Sequence, residues 1–538
     1  MSIKKCLVVL CVCFIASLNA WSQVVTKFYP NGDALDSVPV LQNVAFNAKT
    51  LKMSSFDITE QFRKDSVAAR DNKMLHFGKG FDVSYTLSDG IWEDVKDGRL
   101  WSMTIESKDA LSLNFVFNDF YLPDGAYMYI VNSDETMLFG PVTPKAVRKN
   151  GFFLTDVLQG DKATIFLFEP SDKQGESALT IKRIVHGYKN TYNLMGANKS
   201  KSVNCYNDIA CFPEYETESD GVGMILTPSG DTWHCGSLVM STDYSFEPYF
   251  LTAFNAFDQG LPNVYDGVLS GTEIQFAEAC AFKFRYKHTS CNGSSVALST
   301  TYNGCDFISA SFNSDFVLLK LNENVKADRN LTWLGWDRSA NIPQSGACIH
   351  YSDGNLMEIA FDYDPLQIGT CLNFAYNNHW LVSFDDGVTR EYTSGSPLLN
   401  GSKRIVGQLT GRNVYNPSVS YCNQPDVCFG RFSESWTGGN SIYTRLSDWL
   451  DPISTGQTTM DSHRVPYIAG PTTLSGVCDY YVCNLPSGFT VSWSYTNNGE
   501  NAVTLQPNVP QQNYCRIDNS NYLRTSITLY AHIYNSEF

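Results

Sequence analysis

The chain has 538 residues, a formal net charge of −16, 13% aromatic residues and only 17% charged residues. So acidic a chain lacks the clustered Lys and Arg that phosphate backbones require, which excludes nucleic acid as a partner class. The aromatic-rich, charge-poor mix suits β-rich exported domains, and the length suits roughly three or four of them.

The amino terminus reads as a secretory leader. Lys4 and Lys5 precede a short apolar run from Cys6 to Leu18, and Ala20-Trp21-Ser22 offers small residues for cleavage ahead of Gln23. The run is too short to span a bilayer comfortably, and no later stretch is long and apolar enough, so no membrane span is expected. Residues 1–22 are assigned to the signal peptide, and the protein is expected to be secreted, periplasmic or on the cell surface.

Residues 23–195 form a block without cysteine. A weak helical pattern lies near 60–75. Leu111, Leu113, Phe115 and Phe117 then share one parity, and Ala126, Met128 and Ile130 share another. A period of two means half-buried strands, so this block is expected to be a small β-sandwich. Residues 190–204 are polar and read as a linker. From Cys205 to about Pro452, short apolar runs separated by Gly, Asn, Asp and Pro suit a pair of β-barrels. Leu446–Leu450 followed by Asp451-Pro452 reads as a short helix stopped by proline. Residues 453–465 read as a second linker. In residues 466–538 the runs 489–495 and 525–533 alternate cleanly, as in an immunoglobulin-like sandwich.

Sixteen cysteines occur, three of them in the leader (Cys6, Cys11, Cys13), which leaves thirteen, all after residue 204. In an exported chain this clustering predicts disulfides, and the odd count leaves at least one free thiol. Neither paired CxxC spacing nor HExxH appears, so neither a catalytic metal nor a cofactor is expected.

Chemistry concentrates in three segments. Tyr392-Thr393-Ser394-Gly395-Ser396-Pro397 has the form of a nucleophile turn, Ser314-Asp315-Phe316 opens an apolar strand, and Tyr249–Ala253 runs into Phe254-Asn255-Ala256. The stretch from Asp97 to Asn440 resembles secreted bacterial lysyl-endopeptidase-like proteases of the trypsin superfamily. The segments that carry the resemblance include Ala126–Ile130, Phe139-Gly140-Pro141, Val185–Tyr188, Cys205–Asp208, Cys235–Leu238, Tyr249–Ala253, Ser314–Leu321, Gly335–Ser339, Ser394–Pro397 and Ser435–Gly439. The resemblance implies a trypsin-like double β-barrel over residues 205–452, flanked by the two sandwiches.

In that family a Ser attacks the carbonyl, a His takes its proton, and a buried Asp fixes the His. Ser394 matches the nucleophile and Asp315 the orienting acid. Asn255 stands where the His belongs, and an amide has no pKa with which to accept the proton. Three further positions depart from the pattern. Ala256 replaces the Cys that would pair with Cys235, so Cys235 either pairs elsewhere or stays free. Tyr392, preceded by Glu391, replaces the oxyanion-hole Gly, where a Cβ restricts φ. Tyr443 stands near the acid that would bind a substrate Lys, so no Lys preference carries over. His234, His350 and His379 match no base position and are expected to be packed or surface residues.

Loss of the base alone can cost about a millionfold in turnover. The expectation is an exported, inactive pseudoprotease that binds a peptide or protein in the former substrate cleft. The alternative is an active serine endopeptidase in which some other acceptor serves Ser394. That alternative requires an imidazole or carboxylate other than Asp315 within hydrogen-bond reach of the Ser394 hydroxyl. A third reading is a structural or adhesive protein whose cleft is filled by its own side chains, Tyr392 or Phe254.

Overall fold

The computed structural model describes residues 24–42, 48–70, 76–189, 205–258, 266–371, 374, 377–390, 392–412, 422, 426–474, 476–497, 503–508, 511, 513–519 and 526–535. The expected leader (1–22), the first linker (190–204) and Glu391 lie outside them. The chain is all-β, as its alternating apolar runs dictate. Among the described residues no helix is long and apolar enough to cross a membrane.

Two antiparallel sheets form the central region. In the first, Cys305–Ser311, Phe316–Leu321, Tyr249–Ala253, Trp233–Leu238, Val222–Leu226, Ala281–Phe284 and Ser299–Asn303 are neighbours in that order. The second runs from Asn207–Asp208 through Glu358–Asp362, Gly346–His350, Pro397–Leu399, Ile405–Arg412, Val427–Arg431 and His379–Val382 to Gln367–Gly369. Both sheets feed one core, in which Phe250, Leu251, Phe316 and Leu318 meet Ile349, Ile359, Leu399 and Ile405. Each of these is essentially solvent-free, and burial of such a side chain contributes about 1.5–3 kcal/mol. The strand Ile405–Arg412 pairs with Pro397–Leu399 only as far as Gln408, while its other edge stays paired to Val427–Arg431 out to Arg412. Among the described residues no strand pairs with Thr410–Arg412 on the Pro397–Leu399 side.

The amino-terminal unit packs a second pair of sheets. Leu113, Phe115 and Phe117 of Ser112–Tyr121 face Met128 and Ile130 of Tyr127–Asn132 in a common core, as the parities predict. Leu111 departs from its set and is exposed, because the strand begins one residue later. The weak helical pattern is a helix over Ile58–Arg70.

The opening strand Val24–Phe28 joins the two regions. Val24 pairs with Thr301 and Thr26 with Ser299 on one side, while Thr26 pairs with Phe139 and Phe28 with Met137 on the other. The first central sheet therefore continues without a break into the sheet of the amino-terminal unit.

Residues 453–465, read as a linker, lie against the central region instead. Trp336 and Met460 exchange backbone hydrogen bonds of 3.0 and 2.8 Å, and His463–Arg464 pairs with Thr332–Trp333. The main chain makes these bonds, so the polar composition that suggested a linker does not prevent docking. The carboxy-terminal unit has two sheets, one ordered Tyr467–Ala469, Gly476–Cys483, Tyr514–Asn519, Thr504–Pro507, the other Thr490–Asn497 against Ile527–Tyr534. Val491, Trp493, Ile517 and Leu529 fill the space between them.

Three disulfides form, Cys205–Cys422, Cys211–Cys291 and Cys371–Cys428. The other seven cysteines after residue 204 are free thiols.

Candidate functional site

Strand ends and tight turns bring Asn255, Asp315 and Ser394 together. Asn255 lies in the single helical turn Phe254–Ala256 that follows Tyr249–Ala253. Asp315 closes the turn Phe312–Ser314 in the left-handed conformation, at φ +52°, which Asp tolerates better than most residues. The strands after Asp315 and before Phe254 pair directly, Phe316 with Ala253. The N–H of Asn255 consequently donates to Asp315 Oδ1 at 2.8 Å, and the N–H of Phe254 to the Asp315 carbonyl at 3.1 Å.

Asp315 is solvent-free. Burial pushes its carboxyl up to about 7, opposed by the Thr410 hydroxyl and by the N–H groups of Asn255 and Phe254. Its Oδ2 makes no well-formed hydrogen bond among the described residues, although the Thr410 hydroxyl acts on the carboxyl. The Asp315 turn is fixed from the second sheet. Gln408 Nε2 donates to the carbonyls of Ser314 (2.7 Å) and Asp315 (3.2 Å), and Ser435 Oγ donates to Ser314 Oγ at 2.9 Å. Gly430 lets the strands close on this turn, since a Cβ there would stand 1.9 Å from the Ser314 carbonyl oxygen.

Ser394 sits in the turn before Pro397–Leu399. Gly395, at φ +88°, makes that turn possible, because a Cβ there would come within 2.2 Å of the Cys235 carbonyl. The Ser394 hydroxyl donates to the Thr410 carbonyl at 3.4 Å. Asn255 Nδ2 donates to the same oxygen at 2.5 Å. Among the described residues no imidazole or carboxylate hydrogen-bonds to Ser394 Oγ.

Tyr392 adopts φ +68°, a left-handed backbone that strains a residue bearing a Cβ. Its ring is buried and meets Trp233 edge-on at 6.1 Å, and its hydroxyl accepts from Lys189 Nζ at 3.2 Å. Phe254 is buried too, against Phe312. Tyr443 is 64% exposed.

Cys235 is a free, buried thiol that donates to the Tyr392 carbonyl at 3.5 Å. Burial pushes it up to about 12, so it is inert as a nucleophile. The three candidate histidines are buried and held neutral by desolvation, His234 and His379 down to about 4 and His350 to about 3. Neither ring nitrogen of His234 or His379 has a hydrogen-bond partner among the described residues. His350 Nδ1 lies 2.9 Å from Ser352 Oγ.

Sequence reasoning missed Thr410, whose carbonyl is the acceptor common to two of the three site residues. A single Thr within an apolar strand carries no distinguishing signal. It also missed Lys189, which reaches the nucleophile turn from the far end of the amino-terminal unit.

Residues 199–427 match the family model described as "Lysyl endopeptidase, C-terminal domain". Among solved structures, the chain is similar to the MamO protease domain from Magnetospirillum magneticum, at 12% identity and TM-score 0.27, covering 42% of this chain and 100% of that one. A thermostable serine protease, AL20, from an extremophilic microorganism matches at 13% identity and TM-score 0.27, over 40% of this chain and 92% of that one. Deg5 matches at 11% identity and TM-score 0.26, over 41% and 88%. The matched segment, which carries Asn255, Asp315 and Ser394, is thus similar to the carboxy-terminal domain of lysyl endopeptidases.

Proposed function

We propose that this is an exported pseudoprotease, a protease-like scaffold that binds an extended peptide and does not cut it. One observation carries the reading. The Ser394 hydroxyl directs its proton at the Thr410 carbonyl, and the neighbour that shares this acceptor is an amide. A carbonyl oxygen is far too weak a base to activate the hydroxyl. The strained, side-chain-bearing Tyr392 in place of the oxyanion-hole Gly supports the same conclusion.

Binding uses the edge of the strand Ile405–Arg412 beyond Gln408, where no described strand pairs. An extended peptide adds there as a further strand, its main chain supplying affinity. Asn255, Asp315 and Ser394 then act as structural hydrogen-bonding groups at the floor of the cleft. The carboxy-terminal unit is assigned as an immunoglobulin-like module appended to this scaffold.

The test is active-site labelling. Mature protein treated with a fluorophosphonate probe is expected to carry no adduct at Ser394, and stoichiometric labelling there overturns the reading. Burial of Tyr392 and Phe254 favours a second reading, a structural protein whose cleft its own side chains fill. A random-sequence peptide library separates the two, since only the pseudoprotease retains peptides from it.

A further inference from the structure

We propose that the amino-terminal unit is a permanent half of the site, and that it holds the nucleophile turn through a clamp between Lys189 and Tyr392. The inference goes beyond the binding reading and stands whether or not Ser394 is reactive.

The first support is the junction. Val24–Phe28 is a shared strand with both of its edges paired, one to each region, so separating the two regions would strip a ladder and expose two new edges. Val24 and Val25 are buried. Beside them Thr26 Oγ1 donates to Asp156 Oδ2 at 2.5 Å, and Lys283 Nζ lies 2.9 Å from the same carboxylate. Lys283 belongs to the central sheet and Asp156 to the amino-terminal unit, and both side chains are more than nine-tenths buried. Removing one partner of such a pair leaves an uncompensated charge, so either region alone would expose or strand it. Asn114 Nδ2 donates to the Gly230 carbonyl (2.8 Å), and Leu154 N–H donates to Asn303 Oδ1 (3.0 Å).

The second support is the path from this junction to Ser394. Phe77 stacks on Trp233 at 4.1 Å. Its carbonyl accepts the N–H groups of Tyr188 and Lys189, which fixes where the Lys189 side chain starts. Asp65, on the helix Ile58–Arg70, pairs with Lys189 Nζ at 3.2 Å and also accepts the Tyr188 hydroxyl. The anchored ammonium donates to Tyr392 Oη, and the Tyr392 ring rests on Trp233. Ser394 follows two residues later, with its carbonyl held by the N–H of Cys235, the neighbour of Trp233's neighbour along the strand. The left-handed backbone of Tyr392 persists because its side chain is held at the far end.

Two experiments test this. A site-specific protease sequence placed at residues 195–200 lets the chain be cut between the regions. The cut halves are expected to co-elute from a sizing column in 1 M salt and to melt together, and separation of the halves overturns permanence. For the clamp, hydrogen exchange is read at the amides of Gly395 and Ser396, which are bonded to the Leu409 and Thr393 carbonyls. Lys189→Met and Tyr392→Phe should each speed exchange there at least tenfold, with core strand amides unchanged and protection kept in Lys189→Arg. Unchanged protection in both Lys189→Met and Tyr392→Phe overturns the clamp. Fluorophosphonate labelling of the wild type would refute the pseudoprotease reading without altering either result.

Discussion

Asp315 takes the backbone N–H of Asn255 on one carboxylate oxygen, at 2.8 Å, and leaves the other without a well-formed hydrogen bond among the described residues. A buried carboxylate oxygen without a well-formed hydrogen bond is costly. In the triad arrangement a buried carboxylate of this kind accepts the Nδ1–H of the imidazole. Asn255→His is therefore expected to fill the gap and to trade the amide's bond to Thr410 for one between Nε2 and Ser394 Oγ. Fluorophosphonate labelling of Ser394 should appear in this variant and vanish in its combination with Ser394→Ala. Peptide turnover should remain slow, because Tyr392 still occupies the oxyanion-hole position. Tyr392→Gly added to it should raise the rate by roughly 10²-fold, the scale of one oxyanion donor. An unlabelled Asn255→His variant that melts like the wild type would show that more than the base is missing.

The Asp315 carboxyl also makes a prediction about pH. Burial raises it from 3.8 to about 7. A raised pKa in the folded state means the native protein binds the extra proton, so this contribution is fully present below about pH 4 and is lost as pH climbs through 7. The full loss is about 4 kcal/mol, from the size of the shift. Asp315→Asn keeps the shape and carries no charge to desolvate. The melting temperature of Asp315→Asn relative to wild type should rise steadily from pH 4 to pH 7 and then level off. A difference that does not change with pH would contradict the assignment of burial as the dominant cause.

How much of this was legible beforehand depended on whether a residue's role leaves a local mark. The parity of Leu113, Phe115 and Phe117 marks a strand face because the pleat has a period of two. Ser394-Gly395 marks a turn because its φ of +88° suits Gly. That position 255 carries an amide is readable directly. The opening strand was not readable. Five residues give no period, and both of their partners lie more than one hundred residues away. The cysteine pairings were closed to sequence for the same reason, since Cys205 reaches Cys422 only through the fold. Thr410 and Lys189 act through one carbonyl and one ammonium whose positions other strands set.

Gly430 supports Asp315 by having no side chain. A Cβ at this position would stand 1.9 Å from the Ser314 carbonyl and 2.3 Å from Gln408 Nε2. Those are the two groups that join the second sheet to the Asp315 turn, so Gly430→Ala must push the strands apart. A loss of roughly 2–4 kcal/mol is expected, in the range of overpacking plus a broken buried hydrogen bond. Urea unfolding of Gly430→Ala beside Gly407→Ala measures it. A Cβ at Gly407 meets the Gly430 carbonyl at 2.6 Å but does not touch the Asp315 turn. Equal effects on the exchange of the Asn255 amide in the two variants would refute the connection to Asp315.

His379 carries the last expectation. It is solvent-free, its ring lies 5.1 Å from Phe374, and neither nitrogen has a hydrogen-bond partner among the described residues. Burial lowers it from 6.5 to about 4. A depressed pKa means the unfolded chain takes up the proton first, so stability is intact above pH 6.5 and drains as pH falls toward 4. The full effect is about 3 kcal/mol, and His234 and His350 add to it in the same direction. His379→Phe replaces the ring with one that neither titrates nor needs a hydrogen bond, against aromatic neighbours that accept it. At pH 7.5 this variant should be as stable as the wild type or more so. Between pH 6.5 and 4 it should lose less than the wild type, by an amount that grows as the pH drops. Parallel melting curves over that range would mean that His379 has a partner to hold its proton.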